Sequence, residues 1–188
     1  MNAQIDSRGR QIHSAGRPTP APRVRIVHLD GPAFAALAEG DRAAADAVSP
    51  VPLTDYLAGP ESVRVWQIRA DQVAADPASA AWVTGIIWDT DGSLAVGRAG
   101  FHGGPDEAGM VEIGYAVDPL QRRRGYAKAA LSALLERAAR EPEVTTVRVT
   151  ISPENAPSLS LAAQFGFVRT GEQWDDEDGL EIIFERPA

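Results

Sequence analysis

The most constraining stretch of this chain runs Glu112-Ile113-Gly114-Tyr115-Ala116-Val117-Asp118-Pro119, followed at once by Leu120-Gln121-Arg122-Arg123-Arg124-Gly125-Tyr126-Ala127. The alternation from Met110 to Val117 predicts a strand, and the spacing from Gly125 to Arg140 predicts an amphipathic helix. Alternation puts Val111, Ile113, Tyr115 and Val117 on one strand face and Glu112, Gly114 and Ala116 on the other. The second face is small apart from one carboxylate, so a ligand can lie along it. Three successive arginines then stand where the positive end of a helix dipole and unpaired N–H groups already favour negative charge. That conflict disappears if an anion such as a pyrophosphate binds there. Gly125 lets the backbone approach such a ligand closely, and Ala127 keeps the next inward position small. A solvated arginine run with Gly125 as a turn residue is the alternative; the strand before it and the helix after it favour phosphate. A Gly-Lys-Ser/Thr phosphate loop and the three-glycine dinucleotide spacing are both missing.

The rest of the chain sets this segment in an α/β order. Residues 1–22 carry Arg8, Arg10, Arg17, Pro18, Pro20 and Pro22 among small polar residues and read as a disordered tail. From Val24 to Leu29 the pattern is a short strand, then Pro32 opens a helical stretch ending near Ala47. A short helical turn within Pro50–Pro60 and a helix over Glu61–Ala75 follow. Trp82–Trp88 and Leu94–Phe101 read as strands joined by the Asp91-Gly92 turn. Beyond the central segment come a strand over Val144–Ile151, a helix over Ala156–Phe165, and a hairpin of Phe167–Trp174 and Leu180–Glu185 around the acidic loop Asp175–Gly179. This order predicts one domain, residues 23–188, built on a mixed sheet with helices on both faces.

Composition narrows the function classes. The 188 residues, 44% of them hydrophobic and 23% charged, suit one domain with a sizeable core. Eighteen basic against 26 acidic residues leave a formal net charge of −8, which argues against general binding to nucleic acid or anionic membrane and suits a cationic amine. With no cysteine, disulfides, thiolate nucleophiles and thiolate metal sites are excluded. His13, His28 and His102 have no metal-ligand spacing, so no metal is expected. No apolar run approaches ~20 residues and the first residues lack a hydrophobic block, so a cytoplasmic chain is expected. Trp66, Trp82, Trp88 and Trp174 read as packing residues.

The run Arg122-Arg123-Arg124-Gly125-Tyr126-Ala127, placed between strand and helix, resembles the Arg/Gln-x-x-Gly-x-Gly/Ala signature of the GNAT superfamily of N-acetyltransferases. Asn155-Ala156-Pro157-Ser158, with Leu161 and Gln164-Phe165-Gly166-Phe167, is similar to that family's Asn-x-x-Ser/Ala helix and terminal Gly-Phe. Glu112-Ile113-Gly114-Tyr115 and the end Glu181-Ile182-Ile183-Phe184-Glu185-Arg186 look most like the branch containing ribosomal-protein N-terminal acetyltransferases.

The resemblance covers about residues 24–186 and implies a GNAT acyl-CoA N-acyltransferase fold with a central, mostly antiparallel mixed sheet. It implies acetyl-CoA as co-substrate, a primary amine as acceptor, and direct attack without a covalent enzyme intermediate. The backbone of Ala116 and Val117 would bind the pantetheine arm where this strand splays from Val144–Ile151, and Arg122 to Ala127 would cradle the pyrophosphate. Asn155 would bind the cofactor arm; capping the following helix is its structural alternative. Glu112 is the candidate base, through water, with an ion pair as the alternative, and the N–H near Val117 the oxyanion donor. The family pattern has a tyrosine acid seven residues after the asparagine. Ala162 stands there, leaving Ser158 or water to protonate the thiolate and raising the alternative of a regulatory acetyl-CoA-binding module. A structural interaction domain would leave the arginines unexplained. A homodimer through a sheet edge or the terminal hairpin stays open.

Overall fold

The computed structural model describes residues 21–176 and 179–188. Within them one seven-stranded sheet runs in the order β1-β2-β3-β4-β5-β7-β6. Strands β1 (Val24–Val27), β2 (Gly85–Asp89), β3 (Leu94–Phe101) and β4 (Met110–Val117) form one antiparallel ribbon. Strands β5 (Thr146–Ile151), β7 (Gly179–Pro187) and β6 (Val168–Asp175) form a second. A short parallel pairing of β4 with β5 joins the two.

Helices cover both faces, as the element order predicts. On one face lie α1 (Gly31–Ala38), α2 (Arg42–Val48), α3 (Asp55–Ala58) and α4 (Pro60–Ala75). They bury Phe34, Leu37, Leu57 and Trp66 against Val27, Val83 and Ile86. On the other lie α5 (Tyr126–Ala138) and α6 (Ala156–Gln164), whose Ala130, Leu131, Leu134 and Leu161 pack on Ile87, Val111, Ile113 and Val147. Ile86 and Ile87 therefore serve opposite cores, the signature of a strand covered on both sides. Each such side chain, fully buried, contributes about 1.5–3 kcal/mol.

Several boundaries differ from the sequence expectations for local reasons. The helix expected over Pro32–Ala47 is two helices, because the Asp41 side chain accepts from Ala44 N at 3.0 Å and starts α2 afresh. The strand expected from Trp82 begins at Gly85, since Pro77–Ala81 form a 3-10 turn that runs up to Trp82. The helix expected over Gly125–Arg140 runs from Tyr126 to Ala138, with the arginine triplet in the loop before it. Trp174, expected to pack, is 74% exposed on edge strand β6. Of the tail, residues 1–20 lie outside the described residues, while Pro22 reaches the loop before α5, its Cδ standing 3.1 Å from where a Cβ on Gly125 would be. Glu177 and Asp178 of the acidic loop also lie outside them.

One buried bond fixes α5 to the first ribbon: the Tyr126 hydroxyl donates to Asp89 Oδ2 at 2.7 Å. Burial alone would raise the Asp89 pKa, but Tyr126 and the peptide N–H groups of Gly92 and Asp91 outweigh it and hold the carboxyl below its ordinary value. A depressed carboxyl stabilises the fold above the unfolded pKa and loses that contribution as pH falls through the folded one. Tyr126→Phe should therefore destabilise the protein by about 1–3 kcal/mol at pH 7, a deficit that shrinks in strong acid; urea unfolding across pH measures both.

Candidate active site

The site begins where the sheet opens. Strands β4 and β5 pair only at Met110↔Thr146, Val111↔Val147 and Glu112↔Arg148. Both then continue without partnering each other, to Val117 and Ile151. On its other side β4 stays paired with β3 through Val117. His102 N donates to Glu112 O at 2.8 Å and Asp118 N to Val96 O at 3.0 Å. Even-numbered β4 residues thus spend their peptide groups on β3, and odd-numbered ones turn theirs toward β5. Past the last pair, the peptides of Tyr115 and Val117 face the gap. Ala116, though it lines the gap, commits its peptide to β3.

A cavity of about 630 Å³ occupies the α5–α6 end of this gap, with Val117, Arg122, Arg123, Gly125, Ala127 and Ser158 in its wall. Gly125 has φ 88° and caps α5 with no side-chain bond, leaving the first-turn N–H groups without a side-chain acceptor. Arg123 holds φ 64°, a left-handed backbone uncommon for a non-glycine residue and concentrated at ligand clamps. The three arginines part company here. Arg122 Nε donates to Val117 O at 3.2 Å, and Arg124 is held by Gln121 Oε1 at 2.9 Å. The Arg123 side chain makes no hydrogen bond among the described residues, and Arg124 is not in the cavity wall. Tyr126 likewise commits its hydroxyl to Asp89, so only its backbone is available to a ligand. Lys128, not foreseen from the sequence, crosses the cleft to Gln164 Oε1 at 3.2 Å; its signal was only its position one turn into α5. An uncapped helix N-terminus beside a left-handed arginine whose guanidinium is unbonded has the donors to hold an anion such as a pyrophosphate.

A second cavity, of about 480 Å³, lies toward α4. Tyr115, Asn155 and Ser158 line both, so the two meet at these side chains. Asn155 Oδ1 caps α6 by accepting from Ser158 N at 3.2 Å. Burial raises the pKa of the Tyr115 phenol, and the neighbouring Ser158 hydroxyl lowers it by less. Ala162, where a tyrosine acid would stand, is 2% exposed and packs in the core.

Glu112 sits behind the second cavity, its Oε1 accepting from Thr150 Oγ1 at 2.7 Å and lying 3.6 Å from His102 Nδ1. His102, to which the sequence assigned no role, is thereby brought beside the candidate base. Its ring lies over Gly114: a Cβ there would stand 2.7 Å from Nε2, so the position has to be glycine for the imidazole to fit. Desolvation and the Arg69 charge lower the His102 pKa, while Glu112 raises it; the net is a neutral ring at pH 7. Among the described residues no group of three or more His, Asp or Glu is arranged to hold a metal, and no helix is long and apolar enough to cross a membrane.

His102 should titrate below 6.5. Glu112→Gln, by removing the charge that raises it, should push the value lower still, and Gly114→Ala, by displacing the ring into solvent, should return it toward 6.5. Histidine NMR titration of the three proteins reads all three directions.

A family profile described as an acetyltransferase (GNAT) domain matches residues 25–168. The uncharacterized N-acetyltransferase YjdG of Bacillus subtilis is 35% identical over 83 residues, covering 44% of this chain and 49% of that protein. Its YnaD counterpart is 32% identical, over 39% and 49%. The chain thus spans about half the length of the curated relatives it matches. Among solved structures, Mycobacterium smegmatis RimJ in complex with CoA-disulfide superposes with a TM-score of 0.61 at 19% identity, covering 90% of this chain and 86% of that one. The ribosomal L7/L12 N-acetyltransferase RimL, in complex with coenzyme A, superposes with a TM-score of 0.61 at 16% identity, over 90% and 96%. At those identities the likeness is one of fold.

Proposed function

The chain belongs to the acetyltransferase (GNAT) domain family, and from that premise we propose that it transfers an acetyl group from acetyl-CoA to a primary amine in a ternary complex. The observation that carries this reading is the junction itself: an anion cradle and a separate cavity that share Tyr115, Asn155 and Ser158. A single-ligand module needs no second cavity opening on the same three side chains.

Acetyl-CoA, as co-substrate, supplies an activated acyl carbon and a thiolate leaving group. Arg122, Arg123, Gly125 and the first peptides of α5 hold its pyrophosphate. The outward peptides of Tyr115 and Val117 pair with the pantetheine amides as an added strand would, which puts the Val117 N–H in reach of the developing oxyanion. The Asn155 side chain, already capping α6, keeps its amide N–H groups for the same arm.

The amine, with a free pKa near ~10, has to lose a proton before it attacks. Glu112 receives that proton through water with His102 beside it, and the neutral imidazole at pH 7 leaves the pair ready to accept. As the new C–N bond forms and the C–S bond breaks, the sulfur takes a proton from water or from Ser158, which then regains its proton from water. A thiol pKa near ~8.5 makes that demand modest, which is why a buried Ala162 in place of a tyrosine is compatible with turnover.

Two measurements test this. Isothermal titration should find micromolar acetyl-CoA binding that Arg123→Glu/Gly125→Glu abolishes; no binding to the wild type overturns the reading. Glu112→Gln should lower kcat/KM about 10²–10⁴-fold with acetyl-CoA binding unchanged. Binding without turnover of any amine would favour the regulatory module instead.

A further inference from the structure

The second cavity holds more positive charge than an amine-binding pocket calls for. Arg69 of α4 and Arg98 of β3 both line it, and neither lines the pyrophosphate cradle. Neither is explained by a phosphate of the co-substrate.

Arg98 Nη1 donates to the Tyr56 hydroxyl at 3.0 Å and to Ser62 Oγ at 2.8 Å, and the guanidinium stands 5.5 Å over the Tyr56 ring. All three partners are neutral. Among the described residues no carboxylate lies within ion-pair distance of Arg98, and its Nε and Nη2 have no protein acceptor. Arg98 is partly exposed in the cavity wall.

Arg69 is 8% exposed, and its bonds too go to neutral groups: Nε to Thr84 Oγ1 at 3.1 Å, Nη1 to Gln72 Oε1 at 2.6 Å and to His102 O at 3.2 Å. Burial lowers its pKa and the nearby charge of Glu112 partly restores it. Two carboxylates stand in this neighbourhood. Glu112 is bound by Thr150 and neighboured by His102, and Glu181 accepts from Gln173 at 3.0 Å.

A partly desolvated guanidinium held only by neutral oxygens lacks the counter-charge that normally offsets its burial. Its flat fork of donors matches a carboxylate or phosphate better than any other ligand. Tyr56 and Ser62 fix one edge of Arg98 and leave the other presented, which is how a preorganised anion subsite is built.

We infer that the acceptor is an amine bearing an acidic group, a carboxylate or a phosphate, which the open edge of Arg98 grips while Arg69 adds to the positive field. The inference rests on the acetyltransferase reading above and names its substrate class. The acid then lies at the open edge of Arg98, and the amine reaches the junction at Ser158. The net charge of −8 favours cationic amines at long range, yet the pocket selects against them at contact.

The test uses matched amines differing only in the acid: Ala-Asp-amide against Ala-Asn-amide for a carboxylate, and O-phosphoethanolamine against ethanolamine for a phosphate. Acetylation is followed by thiol release, and acetyl-CoA affinity is measured alongside for every protein. The anionic member of at least one pair should be preferred at least tenfold in kcat/KM, and which pair responds distinguishes carboxylate from phosphate. Arg98→Gln, which can still donate to Tyr56 and Ser62, should erase that preference without changing acetyl-CoA affinity, and Arg98→Lys should restore part of it. Preference for neutral or cationic amines, no turnover of any anionic amine by protein that binds acetyl-CoA, or a preference untouched by Arg98→Gln overturns the inference. Loss of acetyl-CoA binding by the wild type would instead overturn the acetyltransferase reading.

Discussion

Everything at the site depends on β4 and β5 ceasing to pair after Glu112↔Arg148. Had the parallel ladder continued, β5 would have consumed the peptide groups of Tyr115 and Val117 and no cleft would exist. The two halves of the sheet can part because each is tied internally by antiparallel ladders and twists as its own ribbon. The parting has a cost, since each peptide group left without a partner in a poorly solvated place costs about 1–3 kcal/mol. A fold that retains such a gap gains when something extended, with amide donors and acceptors, lies in it. That is the physical content of reading the gap as the place for a pantetheine arm.

The loop from Asp118 to Gly125 concentrates three further departures from local preference. Arg123 takes a left-handed backbone, α5 starts without a side-chain cap, and like charges crowd the positive end of its dipole. The surroundings hold the loop in place despite this. Asp118, 6% exposed, accepts from Leu120 N at 2.9 Å, and the first residue of α5 is bolted to Asp89 across the hairpin. Rigid support at both ends of an unfavourable segment is what would preorganise it to receive an anion.

The sequence made the strand, loop and helix of this segment legible because their signals are local: alternation, a proline, a glycine and helical spacing lie within about thirty residues. Asn155 and Ser158 were legible for the same reason, through capping chemistry. The second cavity was not. His102, Thr150, Arg69 and Arg98 come from β5, α4, β3 and the turn after it, and nothing in their own neighbourhoods marks them; only the sheet order brings them together. Tyr115 fell between the two cases. Alternation put it with the bulky core residues, whereas in the fold it is half-buried and lines both cavities together with Ser158.

Charge gives the sharpest contrast between composition and site. A formal −8 spread over the surface sets a weak far field, and at physiological salt that field decays over about 8 Å. What meets a ligand inside a cleft is the few groups whose charge is not already spent on a protein partner. In the first cavity those are Arg123 and the α5 N-terminus, and in the second Arg98, held by a phenol, an aromatic face and a serine. Glu112 is the opposing charge, and the Thr150 hydroxyl and the histidine beside it fix its carboxylate in place. The second cavity thus has an unpaired guanidinium in its wall and a carboxylate behind it. A molecule that carries both an amine and an acid meets both charges, which is the physical basis of the acceptor class inferred above.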